Sequence, residues 1–111
     1  MKGYYEIKKA DGGDVHFTLH ASNHEVILGS EVYSSKAAAQ SGIESARENG
    51  PNSHRFERRL SSIGEPYFVL KAANGQVIGS SEMYGSEASR DDGVHAVMGN
   101  SPTTVVKDLT A

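Results

Sequence analysis

At 111 residues, the chain is long enough for one domain, or for one domain built from two half-domains. Its net charge of −3 argues against a dedicated nucleic-acid-binding protein, and the complete absence of cysteine rules out disulfides and favours a reducing, cytoplasmic location. No apolar run approaches the ~18 residues of a membrane-spanning helix, and the stretch MKGYYEIKKA lacks the apolar core of a signal peptide.

The first half of the chain predicts three strands followed by a helix. YYEIKKA is rich in strand-forming residues, and VHFTLHA alternates between apolar and polar residues as a half-buried strand does. A turn at Asn23-His24 leads to a third strand, EVILGS. Ser35 is the predicted N-cap of a helix that stops at 49–51, the sequence Asn-Gly-Pro. The apolar stripe of that helix is Ala39, Gly42, Ile43 and Ala46.

The second half repeats this pattern without a gap. Asn74 aligns with Asn23, so the offset is 74 − 23 = 51 residues, and residues 3–51 match 54–102 with sixteen identities in 49 positions. A repeat of this kind indicates a structural unit that does not bury its apolar face alone. Two units favour a closed, pseudo-twofold domain over an open solenoid. The pair Asn74-Gly75 predicts a type I′ hairpin turn, with positive φ at both residues, and His24 takes the place of Gly75.

Glycine recurs at one position inside both predicted helices, as Gly42 and Gly93. Glycine costs about 1 kcal/mol relative to alanine in a helix, so its repetition indicates a close approach of helix to sheet. Ser86 is the second N-cap, and each helix is followed by a further strand, HRFERRLS or TTVVKDL. The prediction is an α+β, two-layer fold over residues 1–111: a tandem βββα repeat (3–51 and 54–102) plus a closing C-terminal strand (103–109).

Three stretches resemble a known family, the YegP-like family of small bacterial proteins: LKAANGQVIGSSEMY, SKAAAQSGIESA and the terminal VVKDLT. The resemblance covers essentially the whole chain. It implies a single, mostly antiparallel sheet with two helices on one face, in which the last strands are exchanged between the halves. His24 departs from the glycine that the family commonly has there. The family implies a cytoplasmic bacterial protein and provides no catalytic residues.

The motif Ser-Glu-x-Tyr-x-Ser occurs twice, at 30–35 and 81–86. A glutamate near hydroxyl groups can serve acid–base catalysis, which makes an enzyme one alternative. The structural interpretation is a joint between the third strand and the helix: the serines cap, the tyrosines pack, and the glutamates accept amide hydrogen bonds. The residues concerned are Glu31, Glu82, Tyr33, Tyr84, Ser35 and Ser86.

Other sites have little support in the sequence. His16 and His20 share a strand face but are about 13 Å apart, too far for one metal ion, and we predict no metal and no cofactor. Arg55, Arg58 and Arg59 form one basic cluster, with Arg55 and Arg59 expected on one face. They leave weak nucleic-acid contact as a further alternative, although the interleaved Glu57 is more typical of a solvated strand.

Two helices cover only one face of a sheet, so the other face is expected to be open. It should carry polar and aromatic side chains that together form a contact surface: His16, Thr18, His20, Tyr67, Val69 and Lys71. The leading hypothesis is therefore a small cytoplasmic interaction or ligand-binding module. Its partner is an unidentified protein or small molecule, nucleic acid and membrane are not expected, and the chain is predicted to be a monomer.

Overall fold

The computed structural model describes residues 3–110, which form one seven-stranded sheet and two helices. The strands are β1 (Tyr4–Lys9), β2 (Val15–His20), β3 (Val26–Ser30), β4 (Phe56–Leu60), β5 (Pro66–Lys71), β6 (Val77–Ser80) and β7 (Val106–Asp108). The helices are α1 (Lys36–Asn49) and α2 (Glu87–Asn100). The spatial order of the strands is β4-β5-β6-β3-β2-β1-β7, and every pairing is antiparallel except that of β7 with β1. The predicted α+β fold is confirmed.

The two halves meet at the centre of the sheet, where β3 pairs with β6. Gly29 lies opposite Ser80, its own equivalent at the 51-residue offset, so the pseudo-twofold axis passes through this pair. A Cβ added at position 29 would meet little besides the Ser80 carbonyl oxygen, at a distance of 3.9 Å. The centre of the sheet is therefore built from small residues.

The ends of the sheet are asymmetric. β7 follows the second helix yet pairs with β1 of the first half, through bonds of 2.9 Å from Tyr5 N–H to the Val105 carbonyl and from Leu109 N–H to the Ile7 carbonyl. This pairing is the exchange that the family resemblance implied. β4, the equivalent of β1, pairs only with β5 and forms the opposite edge of the sheet.

Both helices begin and pack as their sequences predict. The Ser35 and Ser86 hydroxyls each accept a hydrogen bond of 3.1 Å from the backbone N–H three residues ahead. The predicted stripe of α1 is buried against β2, and Asn49 extends it. In α2 the buried residues are Gly93, Val94, Val97 and Arg90. A repeated core results, with Phe17 and Leu19 in one half and Phe68 and Leu70 in the other.

The repeated helix glycines accommodate the repeated tyrosines. A Cβ at Gly42 would overlap the Tyr33 hydroxyl and approach Phe17 to 2.9 Å, and one at Gly93 would overlap the Tyr84 hydroxyl. The Tyr33 ring stacks on Phe17 at 6.2 Å between centroids, as Tyr84 does on Phe68 at 6.3 Å. The predicted close approach is thus made by a tyrosine that lies between helix and sheet.

The predicted hairpin turn is only half right. His24 and Gly75 have positive φ, 73° and 87°, but His24 is the one non-glycine residue with positive φ in residues 3–110, so neither asparagine adopts it. Hydrogen bonds of 2.9 Å join His24 N–H to the Ala21 carbonyl and Ala21 N–H to the Glu25 carbonyl. These bonds define a type I turn followed by a left-handed residue, with a bulge in the neighbouring strand.

Asn23 and Asn74 have a different role from the one predicted. Their side-chain oxygens accept hydrogen bonds from the backbone N–H groups of Glu25 and Gln76, at 3.1 and 3.0 Å. The asparagines therefore stabilise the turn through an Asx-type bond instead of through positive φ.

Candidate functional site

The sheet face opposite the helices, which we call the open face, carries the residues that the alternation predicted. Thr18 lies opposite Glu6 on β1, and Val69 lies opposite Glu57 on β4, so these side chains share a face. The face also holds Arg59 of the predicted basic cluster and four side chains that the sequence analysis did not single out as candidates: Glu6, Lys8, Glu57 and Lys107.

The open face does not expose all six predicted contact residues. Thr18, His20 and Val69 are only 8%, 6% and 3% exposed. His16, Tyr67 and Lys71 are partly exposed. The expectation that all six form the accessible surface is therefore wrong: three of them are buried, and the charged side chains of Lys8 and Lys107 form part of that surface.

In the first half, a charged cluster surrounds Glu6. Its carboxylate lies 3.2 Å from Lys8 Nζ and 3.1 Å from His20 Nε2, and the same ring nitrogen lies 2.8 Å from the Thr18 hydroxyl. The His20 ring stacks on Tyr4, with 4.7 Å between centroids and planes 4° apart. These contacts fix the imidazole on both sides and hold the carboxylate in place.

Lys107 of β7 completes this side of the face. Its ammonium lies 4.0 Å from the centre of the Tyr4 ring, a cation–π contact that also covers the ring from solvent. The Tyr4 hydroxyl also forms a hydrogen bond with His24 Nδ1, at 2.9 Å. The residue at positive φ in the first hairpin is therefore attached to the open face.

In the second half, an equivalent cluster surrounds Glu57. Its carboxylate accepts a bond of 2.6 Å from Arg59 Nε and lies 3.3 Å from Lys71 Nζ. The bond from Arg59 and then that from Lys71 hold the pKa of Glu57 below its ordinary value. Bonds with Glu57 and Tyr67 raise the pKa of Arg59.

The two clusters are equivalent at the 51-residue offset. Glu6 corresponds to Glu57, Lys8 to Arg59, and His20 to Lys71, so each half places one carboxylate between two basic groups. Only the glutamates are identical between the two halves, so a comparison of identical residues does not detect the cluster. A comparison of charge type at equivalent positions would have found it.

The Ser-Glu-x-Tyr motif is a structural joint in which the serines make the bonds. Ser30 Oγ accepts from Phe17 N–H at 2.8 Å and donates to the Glu31 carbonyl, and Ser81 repeats this with Phe68 and Glu82. The prediction that the glutamate side chains accept amide bonds is wrong, since both are exposed and make no such bond within residues 3–110. Burial, and then the neighbouring glutamate, raise the pKa of Tyr33 and Tyr84.

The three arginines do not form one basic patch. Arg55 lies in a short 3₁₀ turn before β4 and donates to the Asn49 side chain at 3.0 Å. Arg58 points to the helix side and donates to Asp91 at 2.8 Å, while Arg59 bonds to Glu57 on the open face. The prediction that Arg55 and Arg59 share a strand face is wrong, because Arg55 precedes the strand.

Two other kinds of feature do not occur in the described part of the chain. Across residues 3–110, no three His, Cys, Asp or Glu side chains lie close enough together to hold a metal ion. Neither helix is long and apolar enough to cross a membrane.

Comparison with known proteins identifies close relatives. The family model described as a domain of unknown function (DUF1508) matches the chain twice, at residues 10–57 and 61–108. UPF0339 protein YegP of Yersinia pestis is 53% identical over 97% of this chain and 96% of its own length. UPF0339 protein MS1092 of Mannheimia succiniciproducens is 52% identical, with the same coverage.

Two solution NMR structures have the same fold. UPF0339 protein SO3888 from Shewanella oneidensis matches with a TM-score of 0.92 and 48% identity, over 99% of this chain and 93% of that one. The protein of unknown function yegP from E. coli matches with a TM-score of 0.94 and 45% identity, over 100% and 96%. The family matches are themselves 51 residues apart (61 − 10), the offset of the internal repeat.

Proposed function

Because the chain belongs to the UPF0339 (YegP) family of DUF1508 repeat proteins, which has no assigned activity, we propose a function from the geometry of its open face. The protein is a small, non-enzymatic interaction module that binds an acidic surface of a partner protein. The paired clusters around Glu6 and Glu57 are the contact groups.

The observation that supports this function is the charge of the open face. Four basic residues, Lys8, Arg59, Lys71 and Lys107, face two carboxylates, so the face is positive while the whole chain carries −3. The remainder of the surface is accordingly more acidic. Such segregation attracts an acidic partner to one face and repels it from the others.

The form of the face favours a protein partner over a small molecule. Small-molecule sites are concave and mostly apolar, whereas this face is the broad side of a sheet covered by charged side chains. We also propose that the protein works as a monomer in the cytoplasm, a location that the complete absence of cysteine supports.

Two adjacent lysines provide the matched test. Lys8 lies on the open face beside Glu6, and Lys9, the next residue along β1, points to the other face and is exposed. Immobilised wild-type protein and the variants Lys8→Glu, Lys71→Glu and Lys9→Glu are used to capture partners from a bacterial lysate.

The expected result is one partner that wild type and Lys9→Glu retain, that Lys8→Glu and Lys71→Glu lose, and that moderate salt elutes. Circular dichroism confirms that all four proteins are folded. Equal retention by Lys8→Glu and Lys9→Glu would contradict the proposal, because the two substitutions change the net charge identically and differ only in the face.

A further inference from the structure

Strands β1 and β4 are equivalents in the repeat, but only β1 has partners on both sides. β1 lies between β2 and β7, whereas β4 is the terminal strand of the sheet. Val106 of β7 corresponds, at the 51-residue offset, to Arg55. Arg55 follows α1 and immediately precedes β4. Residues 3–110 therefore provide no separate strand with which to cover the β4 edge.

The outward backbone groups of β4 can be assigned from those of β1. On β1, the peptide groups of Tyr5 and Ile7 face β7, as their hydrogen bonds show. Their equivalents on β4 are Phe56 and Arg58. Phe56 N–H bonds to the Ser53 carbonyl, while the N–H and C=O of Arg58 point away from β5, the one strand that pairs with β4 in the described residues.

The side chains along this edge select against a second copy of the chain. Arg58 and Arg59 are about two-fifths exposed, on opposite faces of the edge, and Leu60 follows them. Two β4 edges paired with each other would bring their arginines face to face, which is unfavourable. An acidic strand would instead place carboxylates beside these guanidinium groups.

We propose that an extended, acidic segment of a partner protein adds to the sheet as a strand parallel to β4. The register is that of β7 on β1, where Val106, Lys107 and Asp108 lie opposite Tyr5, Glu6 and Ile7. Transferred by the repeat offset, three successive peptide residues lie opposite Phe56, Glu57 and Arg58. The first of them faces α2, and a carboxylate at the third reaches Arg58.

This site lies at the edge of the sheet and overlaps the open face only at Glu57 and Arg59 of β4, so substitutions at Lys8 and Lys71 distinguish the two proposals. The added strand bonds to backbone groups at the edge of the sheet and to Arg58 on the helix side. Neither Lys8 nor Lys71 of the open-face clusters takes part in it. The β7–β1 pairing within the same molecule demonstrates that the parallel geometry is compatible with this strand and helix arrangement.

The probe is a synthetic peptide of residues 103–110 carrying Leu109→Glu, which copies the strand that docks on β1 and places Asp108 and the new carboxylate opposite Arg58 and Arg59. It is titrated into full-length ¹⁵N-labelled protein, and amide shifts and hydrogen exchange are followed. The expected result is that shifts centre on Phe56–Leu60 and that the Arg58 amide becomes protected from exchange. Shifts confined to Tyr5–Ile7 would mean that the peptide only displaces β7, and would overturn the proposal.

Two controls test the backbone and the charge. In β7, the backbone groups of Val105 and Leu109 face β1, so position 107 between them also faces it and position 108 does not. N-methylation of the peptide at position 107 should abolish binding, whereas N-methylation at 108 should not. Equal binding of both methylated peptides would overturn strand addition.

Arg58→Glu should weaken binding of the unmethylated peptide at least about tenfold, and Lys8→Glu should leave it unchanged. If Lys8→Glu weakened binding as much as Arg58→Glu, the peptide would be bound by the open face and the edge site would be wrong. If both proteins bound the peptide as wild type does, the carboxylate contact with Arg58 would be wrong.

Discussion

At the scale of single residues, the repeated glycines and tyrosines explain each other. Gly42 and Gly93 leave space for the hydroxyl ends of Tyr33 and Tyr84, whose rings lie on Phe17 and Phe68. Helix α2 contains a second glycine, Gly99, at which an added Cβ would meet no atom within 4 Å. An added methyl group would therefore overlap Tyr84 at position 93 but would have free space at position 99.

We expect Gly93→Ala to destabilise the protein by about 1–3 kcal/mol, because the new methyl group overlaps Tyr84. Gly99→Ala should stabilise it by up to about 1 kcal/mol, because alanine favours the helix and has space there. Urea unfolding of both variants measures the free energies. A Gly93→Ala protein as stable as Gly99→Ala would mean that Tyr84 does not lie against the helix.

His24 combines a backbone cost with a side-chain gain. Its positive φ is unfavourable for a residue with a Cβ, but its ring bonds to the Tyr4 hydroxyl. In a Tyr4→Phe background, His24→Gly should stabilise by up to about 1 kcal/mol. In the wild-type background, the stabilisation by His24→Gly should be smaller, because the substitution also removes the Tyr4–His24 hydrogen bond, which contributes about 0.5–1.5 kcal/mol.

The four proteins of this cycle, unfolded in urea, give the coupling energy directly. An identical effect of His24→Gly in both backgrounds would show that the Tyr4–His24 bond contributes nothing to stability.

The hairpin also shows how far residue types determine local structure. His24 and Gly75 align, and glycine at one copy predicts positive φ at both, which the structure confirms. The turn type could not be predicted, since the same residues suit both a two-residue turn and a type I turn followed by a left-handed residue, and the strands also contain a bulge at Ile27, opposite Leu19 and His20. That bulge arises from how β2 and β3 pair, and no side chain at those positions indicates it.

At the scale of elements, β7 is short and depends on Asp108 for its position. The Asp108 carboxylate accepts bonds from Lys36 at 2.8 Å and from Thr110, and these bonds, that of Lys36 first, lower the pKa of Asp108. Lys36 lies at the start of α1, so this ion pair ties the exchanged strand to the first half. Apart from the hydrogen bonds between β7 and β1, the Lys36–Asp108 ion pair is the main polar contact that holds β7 in place.

Because the native pKa of Asp108 is below the unfolded value of about 3.9, its contribution is fully present above pH ~4 and is lost as pH falls further. We expect the exchange protection factor of the Leu109 amide, which bonds to Ile7, to decrease below pH ~4. Asp108→Asn should lower that protection at neutral pH and remove its dependence on acid. Asp92→Asn, an exposed change on α2, should do neither.

The roles of β4 and β7 could be predicted only in part. HRFERRLS reads equally well as the last strand of one repeat and the first strand of the next, and in the structure it occupies the place of a first strand. Because HRFERRLS pairs with β5 as a first strand, the β4 edge remains open. This pairing joins residues that are distant in the sequence, so the local sequence does not predict it. Arg58 in the place of Ile7 is the local sign of a strand edge that faces solvent.

At the scale of the whole molecule, the two halves complete one sheet, so neither half should fold alone. A fragment of residues 1–51 contains β1–β3 and α1 but lacks β6 as a partner for β3 and β7 as a partner for β1. A core of about 50 residues is also marginal. We expect this fragment to be largely unfolded by circular dichroism.

Residues 1–62 should behave differently, because they add the HRFERRL strand. In a symmetric dimer, β3 would pair with β3 of the second copy, and the added strand could lie parallel to the other copy's β1, as β7 does in the intact chain. Sedimentation should therefore detect a folded dimer of 1–62 and a monomer of the full chain. A cooperatively folded monomer of 1–51 would mean that the halves are independent.

The pairing of β7 with β1 has a consequence for biosynthesis. Tyr5 and Val106 are neighbours in the sheet but lie 106 − 5 = 101 residues apart in the chain. At about 5–20 residues per second, the edge of β1 stays uncovered for several seconds on the ribosome after it has left the exit tunnel. A nascent chain that stalls before β7 is made keeps an unpaired β1 edge, which can pair with strands of other chains.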